Sequence, residues 1–504
     1  MRQNTTFHVL VTQIFAIYGI RIRHHWLWHR FVAYLTSLTG FVYAWPSYTV
    51  ANFASNETVL SRPMSTLELS LLGSLTNIGA LAVTPFCGYA LDTLGRKYAA
   101  MMFGLPFVFA WAVIAFTSNI PLVIIAIGFA GVGCAGQAVS SVYISEICQD
   151  SIRGALTSTT VSGFFLGLLF SYAIGGHLTY HQVVYVHLTL SILYIALLAV
   201  LKESPVFLVQ RGREEEAAHS IAFYRRVDVT SKEVEVEIMK IKLQLDPRIE
   251  AILQSDNDPK ATEELLTKSN SEEVKAESAW KFLIKSESSK RALATAITVM
   301  ALSILMGCLV LQVYAEPLFK EAVPSMNSNQ CSIFLALDFL VASFLSALMM
   351  DRLGRKFLMT TTSIASGILT LLLGTQLHYR WAPHWVTAVF IYSYCFVYNM
   401  GAAVVPFVLT AELFLPEVRG LCNSMSMACM WIVNFVVLIV FNPLVDSFGL
   451  GTIFCGFSVV CFCGAAYSQF CLPETKGLSA DAIQLLFLKK RPNIARSNVL
   501  SVEA

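Results

Sequence analysis

Two short charged motifs occur twice in this 504-residue chain, in the same order. Asp92-Thr-Leu-Gly-Arg-Lys97 returns as Asp351-Arg-Leu-Gly-Arg-Lys356. Glu146 with Arg153-Gly154 returns as Glu412 with Arg419-Gly420, each acid seven residues before its arginine. A looser third pair sets Lys202-Glu-Ser-Pro205 against Pro473-Glu-Thr-Lys476. The chemistry open to these residue types is reversible ion pairing. A guanidinium fork meets a carboxylate through directed, charge-assisted hydrogen bonds, and Gly95 and Gly354 permit the tight reversals that aim Arg96 and Arg355 at acids on neighbouring helix ends. One exposed pair is worth about 0.2–1 kcal/mol, yet several acting together bias two conformers by a few kcal/mol. On this reading Asp92, Arg96, Glu146, Arg153, Glu203, Asp351, Arg355, Glu412, Arg419 and Glu474 form a gating set. The plainer alternative is that the charges only fix topology and solvate helix ends; duplication of the whole set weighs against it. No nucleotide loop, metal-ligand cluster or nucleophile elbow accompanies them, so no enzymatic activity, cofactor or metal is expected.

The elements that must carry these motifs are membrane helices. Hydrophobic residues make up 56% of the chain and charged residues 13%, against roughly 25% charged in soluble domains. Residues 202–291 hold 18 of the 33 acidic residues, so the polar mass is one middle segment. Spanning about 30 Å of hydrocarbon takes roughly 20 apolar residues as helix. Twelve windows qualify: 31–51, 67–91, 98–118, 120–145, 155–178 and 183–201, then 292–318, 330–350, 357–377, 384–411, 420–444 and 448–472. Lys and Arg gather on alternate loops, which predicts cytosolic termini and a cytosolic middle segment. The sequon Asn56-Glu-Thr58 then falls in the first outside loop, as glycosylation of Asn56 requires. Segment Phe7–Ile20 is too short to span and lacks a small-residue cleavage site, so neither a span nor a signal peptide is expected there.

The predicted fold is thus an all-α membrane protein of 12 transmembrane helices in two six-helix parallel repeats. The expected divisions are a cytosolic segment at 1–30, bundles at 31–201 and 292–472, a cytosolic middle segment at 202–291 and a tail at 473–504. Within the middle segment, Glu214–Glu216 and the amphipathic stretch Ser231–Leu245 predict short bracing helices, and Ser255–Ser278 reads as a linker. Parallel repeats in transporters place the solute near mid-membrane and rock around it. A net charge of +2 gives no reason to expect nucleic acid. The twelve cysteines sit mostly in apolar runs and read as small core residues. The expected partners are a small neutral solute and the lipid bilayer, in the plasma membrane, with a monomer sufficient.

The motifs resemble the sugar porter family of the major facilitator superfamily, from about the first span to Gly477. The resemblance rests on Gly88-x3-Asp92-x2-Gly-Arg-Lys97, Tyr143-Ile-Ser-Glu146 with Arg153-Gly154, Glu203-Ser-Pro205, Asp351-Arg-x-Gly-Arg-Lys356, Glu412 with Arg419-Gly420, and Pro473-Glu-Thr-Lys-Gly477. Gly40-x3-Ala-Trp-Pro-Ser47, Gly73-Ser-Leu75 and Gly79 look most like the facilitated trehalose and glucose transporters of insects. The resemblance implies a major facilitator fold and a sugar site lined by the fifth, seventh, tenth and eleventh spans.

This chain departs from the family at that site. Val161 stands where the family has a glutamine, Ser303 and Ile304 where it has two, and Leu309 where it has an asparagine. Gly401-Ala-Ala-Val-Val-Pro-Phe407 keeps one glycine, one proline and an aromatic, while Trp431 and Asn434 are retained beside Met430. Each lost amide contact to a hydroxyl removes roughly 0.5–1.5 kcal/mol, so affinity for an ordinary hexose is expected to fall. Further polar candidates are Asn77, Gln137, Thr160, Ser162, Gln312 and Asn399; Asn77 and Gln137 read equally as helix-packing contacts. Trp431 and Phe407 could stack on a sugar face or simply pack.

The resemblance also bears on coupling. Proton-coupled members carry an acid in the first span, where this chain has Gly40-Phe41-Val42, which favours facilitated diffusion. Asp338, inside the eighth span, is either a coupling carboxylate or a residue near the outer mouth. His177, His181 and His187 read as interfacial or packing residues. A sensor that binds solute without sustained flux is the rival from another class.

Overall fold

The structure, a computed structural model, describes residues 31–32, 34–147, 153–245, 279–414, 416–476, 478, 483–484 and 486–487. Among them every regular element is helical. The chain forms two compact units, Met1–Ala276 and Glu277–Ala504.

In the first unit, α1 covers 34–53. It is followed by α2 (Thr66–Val83), α3 (Cys87–Leu94), α4 (Arg96–Phe116), α5 (Ile120–Cys134), α6 (Gln137–Ile147), α7 (Arg153–Gly175) and α8 (Tyr180–Val200). The short helices α9 (Pro205–Gln210), α10 (Glu214–Arg225) and α11 (Lys232–Leu245) complete it. Helix α2 starts where hydropathy predicts because Ser65 and Glu68 form a reciprocal capping box. It packs along α5, and α4 packs on α5 and α8. A Cβ on Gly79 would strike the Gly128 carbonyl, so small residues let these backbones approach closely.

In the second unit, α12 (Ala279–Lys285) precedes α13 (Glu287–Leu305), α14 (Cys308–Val313), α15 (Ala315–Ala322), α16 (Ser328–Leu353) and α17 (Arg355–Tyr379). Then come α18 (His384–Met400), α19 (Val405–Glu412), α20 (Pro416–Phe448) and α21 (Leu450–Cys471). Helix α17 lies along α21, α13 against α20, and α16 against α18.

Nine helices among the described residues are long and apolar enough to cross a membrane. The other three expected spans fall on α1, on α7, whose stretch Val161–Gly175 is a shorter apolar helix, and on the α13–α14 pair. Hydropathy predicts continuous helices at 67–91, 120–145, 292–318 and 384–411, but each is interrupted, after Val83, Cys134, Leu305 and Met400. A break between apolar flanks leaves the hydropathy unchanged, so sequence windows cannot register it.

The amphipathic stretch in the middle segment is a helix as its pattern suggests. Val234 and Ile241 of α11 bury against Ile221 and Ala222 of α10, making a small core with Val206 and Val209 of α9. The predicted linker at 255–278, segment 7–20 and the end of the tail lie outside the described residues.

Candidate functional site

In the first unit the duplicated charges converge. Arg96 donates from Nε and Nη2 to one oxygen of Glu146, at 3.0 and 2.7 Å, and from Nη1 to the Leu91 carbonyl at 3.3 Å. The second Glu146 oxygen accepts the Ser204 hydroxyl. Glu203 accepts the main-chain N–H of Arg96 at 2.8 Å, of Lys97 at 3.0 Å and of Ser204 at 2.8 Å. Its carboxylate therefore caps the start of α4, where the first N–H groups of a helix lack partners. Burial pushes the Glu203 carboxyl up, and the amides of Lys97, Ser204 and Arg96 pull it partly back. Gly95 makes the turn possible at φ +89, and a Cβ there would collide with Glu203.

The second unit repeats this arrangement residue for residue. Arg355 donates to one oxygen of Glu412 from Nε at 3.2 Å and Nη2 at 2.8 Å, and to the Met350 carbonyl at 3.3 Å. Thr475 Oγ1 donates to the other Glu412 oxygen at 2.7 Å. Glu474 accepts the N–H of Arg355 at 2.9 Å, of Lys356 at 3.1 Å and of Thr475 at 3.0 Å. Gly354 turns at φ +87, against the Glu474 carboxylate. Both Arg–Glu pairs are mostly buried, with side-chain exposures of 9% and 14% in the first and 12% and 25% in the second. Charge-assisted bonds so shielded are worth more than exposed ones.

The structure thus brings Arg96, Glu146 and Glu203 of the expected set together, and Arg355, Glu412 and Glu474 together. It places Asp92 differently. Asp92 is exposed and offers its main-chain carbonyl, to Arg211 Nη2 at 2.6 Å. Near the end of α16, Lys476 Nζ donates to the carbonyl of Arg352, one position past the counterpart of Asp92, at 2.8 Å. Arg419 reaches the Phe414 carbonyl at 3.4 Å. The side chains of Arg153, Thr160 and Asp351 lie outside the described residues.

Three participants were not singled out from sequence. Ser204 and Thr475 hold the far oxygens of the glutamates, and their only advance signal is the shared hydroxyl position after Glu203 and Glu474. Tyr224 donates to the Lys202 carbonyl at 2.6 Å and lies 3.0 Å from the Tyr143 hydroxyl, which joins the α9–α11 core to this corner.

A second constellation lies at the helix breaks of the second unit. Pro406 has no N–H, so the Ala402 carbonyl four residues earlier loses its helical donor. Ser303 Oγ donates to it at 2.6 Å. In return, helix α18 serves the broken end of α13: Tyr398 OH donates to the Ser303 carbonyl at 3.0 Å and Tyr394 OH to that of Met306 at 2.7 Å. Gly307 turns there at φ +93. Ser303, expected as a sugar contact, is thereby occupied in capping. Tyr394 and Tyr398 were missed because hydropathy scores them with the apolar residues.

Trp431 and Asn434 lie three apart on α20, hence on one face, and both are almost fully buried. Phe407 and Val161 are exposed, while Leu309 and Gln312 are half-buried. Asn399 donates to the Cys395 carbonyl at 2.9 Å. Asn77 accepts from Tyr43 at 2.8 Å and donates to the Ser74 carbonyl, a contact between α1 and α2. Ser162 is buried and Gln137 half-buried. His187 is buried, stacked on Phe41 with ring centroids 4.9 Å apart, whereas His177 and His181 are exposed. Asn56 is exposed in the turn after α1.

Residues 31–487 match the model of the family described as sugar (and other) transporter. A facilitated trehalose transporter of Polypedilum vanderplanki is 26% identical over 455 residues, 89% of this chain and 84% of that one. Another, from Drosophila grimshawi, is 26% identical over 461 residues, 89% of this chain and 46% of its own length. The chain therefore spans most of the first relative and about half of the second. Among solved structures, the inward-open xylose transporter XylE from E. coli superposes with a TM-score of 0.72 at 19% identity, covering 92% of this chain and 99% of that one. The proton:xylose symporter XylE bound to 6-bromo-6-deoxy-D-glucose gives 0.67 at 20% identity, covering 93% and 100%. These two likenesses concern the major facilitator fold.

Proposed function

The chain belongs to the sugar (and other) transporter family, and from that premise we propose that it carries a sugar, or a similarly small neutral solute, across a membrane by alternating access. The observation that supports this most directly is the matched pair of corners. Arg96 with Glu146 and Glu203, and Arg355 with Glu412 and Glu474, each tie three chain segments of one unit at a helix reversal. Segments tied in this way move together, as rocking requires. No covalent chemistry is involved.

Trehalose heads the substrate panel, since both insect relatives are named as facilitated trehalose transporters. Trp431 and Asn434 are the proposed contacts, an aromatic face for the apolar side of a sugar ring and an amide for its hydroxyls. Val161, Leu309 and Phe407 offer no hydrogen bond from their side chains, and Ser303 is engaged with Ala402. Such a lining suits a weakly held solute.

Uniport is the favoured mode. The first span carries no acid, and Asp338 borders a groove whose lining contains none of Ser303, Trp431 or Asn434. The plasma membrane as location, cytosolic termini, glycosylation at Asn56, a monomeric working unit and the five divisions of the chain belong to the same proposal. Its test is uptake into proteoliposomes across trehalose, glucose, polyols and non-sugar solutes, with and without a pH gradient. Saturable carbohydrate uptake indifferent to the gradient is expected. Uptake of a non-sugar alone would overturn the substrate class, and uptake driven by the gradient would overturn uniport.

A further inference from the structure

Helix α16 leaves one flank open. Phe334, Leu337, Val341, Phe344 and Leu348 are all exposed, at intervals of three, four, three and four residues. That spacing is the seam along which two helices pack knobs into holes. Asp338 follows Leu337 directly, the position beside such a seam where helices exchange ion pairs. Its Oδ2 is buried and has no hydrogen-bond partner. It borders a groove of about 400 Å³ between α16 and α18, lined by Phe334, Leu337, Asp338, Val341, Tyr392 and Phe396. The Tyr392 hydroxyl is donated elsewhere, to the Cys331 carbonyl at 3.0 Å.

Asp338 is the eleventh residue of α16, which begins at Ser328. At the helical rise it lies about 15 Å from that end, near the middle of a bilayer core. A carboxylate at that depth is costly without a counter-charge, so intramembrane acids seek a partner. Three aromatic rings and one carboxylate around a groove form a receptor for an organic cation.

We propose that this flank docks a transmembrane helix of another membrane protein, one bearing a Lys or Arg at mid-depth whose cation enters the groove and pairs with Asp338. A second copy of this chain does not supply that group. In the nine described spans Lys and Arg occur only within the first two residues, as at Arg96, Lys97, Arg355, Lys356 and Arg419. Charge complementarity therefore selects a different protein. The groove suits a basic side chain in its lining as well, with apolar walls for the methylene stem and one carboxylate for the cation.

The test uses the full chain in liposomes of neutral lipid with a synthetic leucine-rich transmembrane peptide, followed by energy transfer between labelled protein and labelled peptide. A peptide with one central Lys is expected to associate about tenfold more tightly than its central-Leu twin. Moving the Lys two turns toward either end should abolish the preference. Asp338→Asn should abolish it too, and Asp338→Glu should keep it. Equal association of the Lys and Leu peptides, or a preference that ignores the depth of the Lys, would overturn the proposal. So would a preference that survives in Asp338→Asn, or energy transfer between copies of this chain that depends on Asp338. The peptide series decides the matter even if Asp338→Asn fails to fold.

Discussion

The Glu203 carboxylate accepts the main-chain N–H of Arg96 at 2.8 Å, while the side chain of that same arginine holds Glu146. One residue is thus gripped from behind by one acid and in front grips another. The same holds for Arg355 between Glu474 and Glu412.

Capping, rather than charge alone, is what Glu203 and Glu474 contribute. Glu203→Gln retains an acceptor oxygen for the amides of α4, whereas Glu203→Ala removes it. Thermal unfolding in detergent should show Ala losing roughly 1–3 kcal/mol and Gln less than half of that. Glu474→Ala should lose a similar amount, because three of its four amide contacts match those of Glu203.

Arginine geometry should matter more than its charge. Arg96 spends Nε, Nη1 and Nη2 on Glu146 and Leu91, a fork that lysine cannot reproduce. Arg96→Lys and Arg355→Lys should each cut the maximal uptake rate by about tenfold or more, with protein level little changed. A double-mutant cycle of Arg96→Ala with Glu146→Ala should return a coupling of roughly 1–3 kcal/mol.

Serine and tyrosine at the helix breaks should behave as one network. Tyr398→Phe leaves the Ser303 carbonyl only the Met306 N–H, shared and at 3.3 Å, and Ser303→Ala removes the hydroxyl that serves Ala402. Each should cost about 1–3 kcal/mol in unfolding, and the double variant clearly less than the sum. Additive losses would mean that the two bonds do not act together.

The proposed solute contacts should separate from the corners in kinetics. Trp431→Ala and Asn434→Ala should raise the KM of uptake by about fivefold or more, on the scale of one lost contact. Their melting curves should shift less than that of Glu203→Ala.

Gly307 turns at φ +93 with Phe457 packed against the place a Cβ would take. Gly307→Ala should therefore lower expression and stability, by roughly 1–3 kcal/mol.

The corners were legible in the sequence because duplication is a strong signal. Ordered repeats at three places forced the pairings 96 with 355, 146 with 412 and 203 with 474. Asp92 was legible as a motif residue but not in its role, since a spacing rule cannot tell whether a residue will offer its carboxylate or its carbonyl. Helix existence followed from hydropathy, and helix continuity did not. The break in the tenth span follows from Pro406, whose missing donor is a local fact, but the hydroxyl that answers it comes from Ser303, nearly a hundred positions away. Tyr394 and Tyr398 fill the converse role through two hydroxyls on otherwise apolar rings. Such long-range satisfaction of a main-chain group has no sequence period.

The mutual service of the two broken helices constrains how this chain can change. Proline on one helix creates a thirsty carbonyl, and a serine on the other slakes it; a tyrosine then repays the serine's own helix. Within a bilayer no water stands ready to replace either donor. Drift at one of these positions thus exposes a defect at the other, so the pair must be kept or lost as a unit.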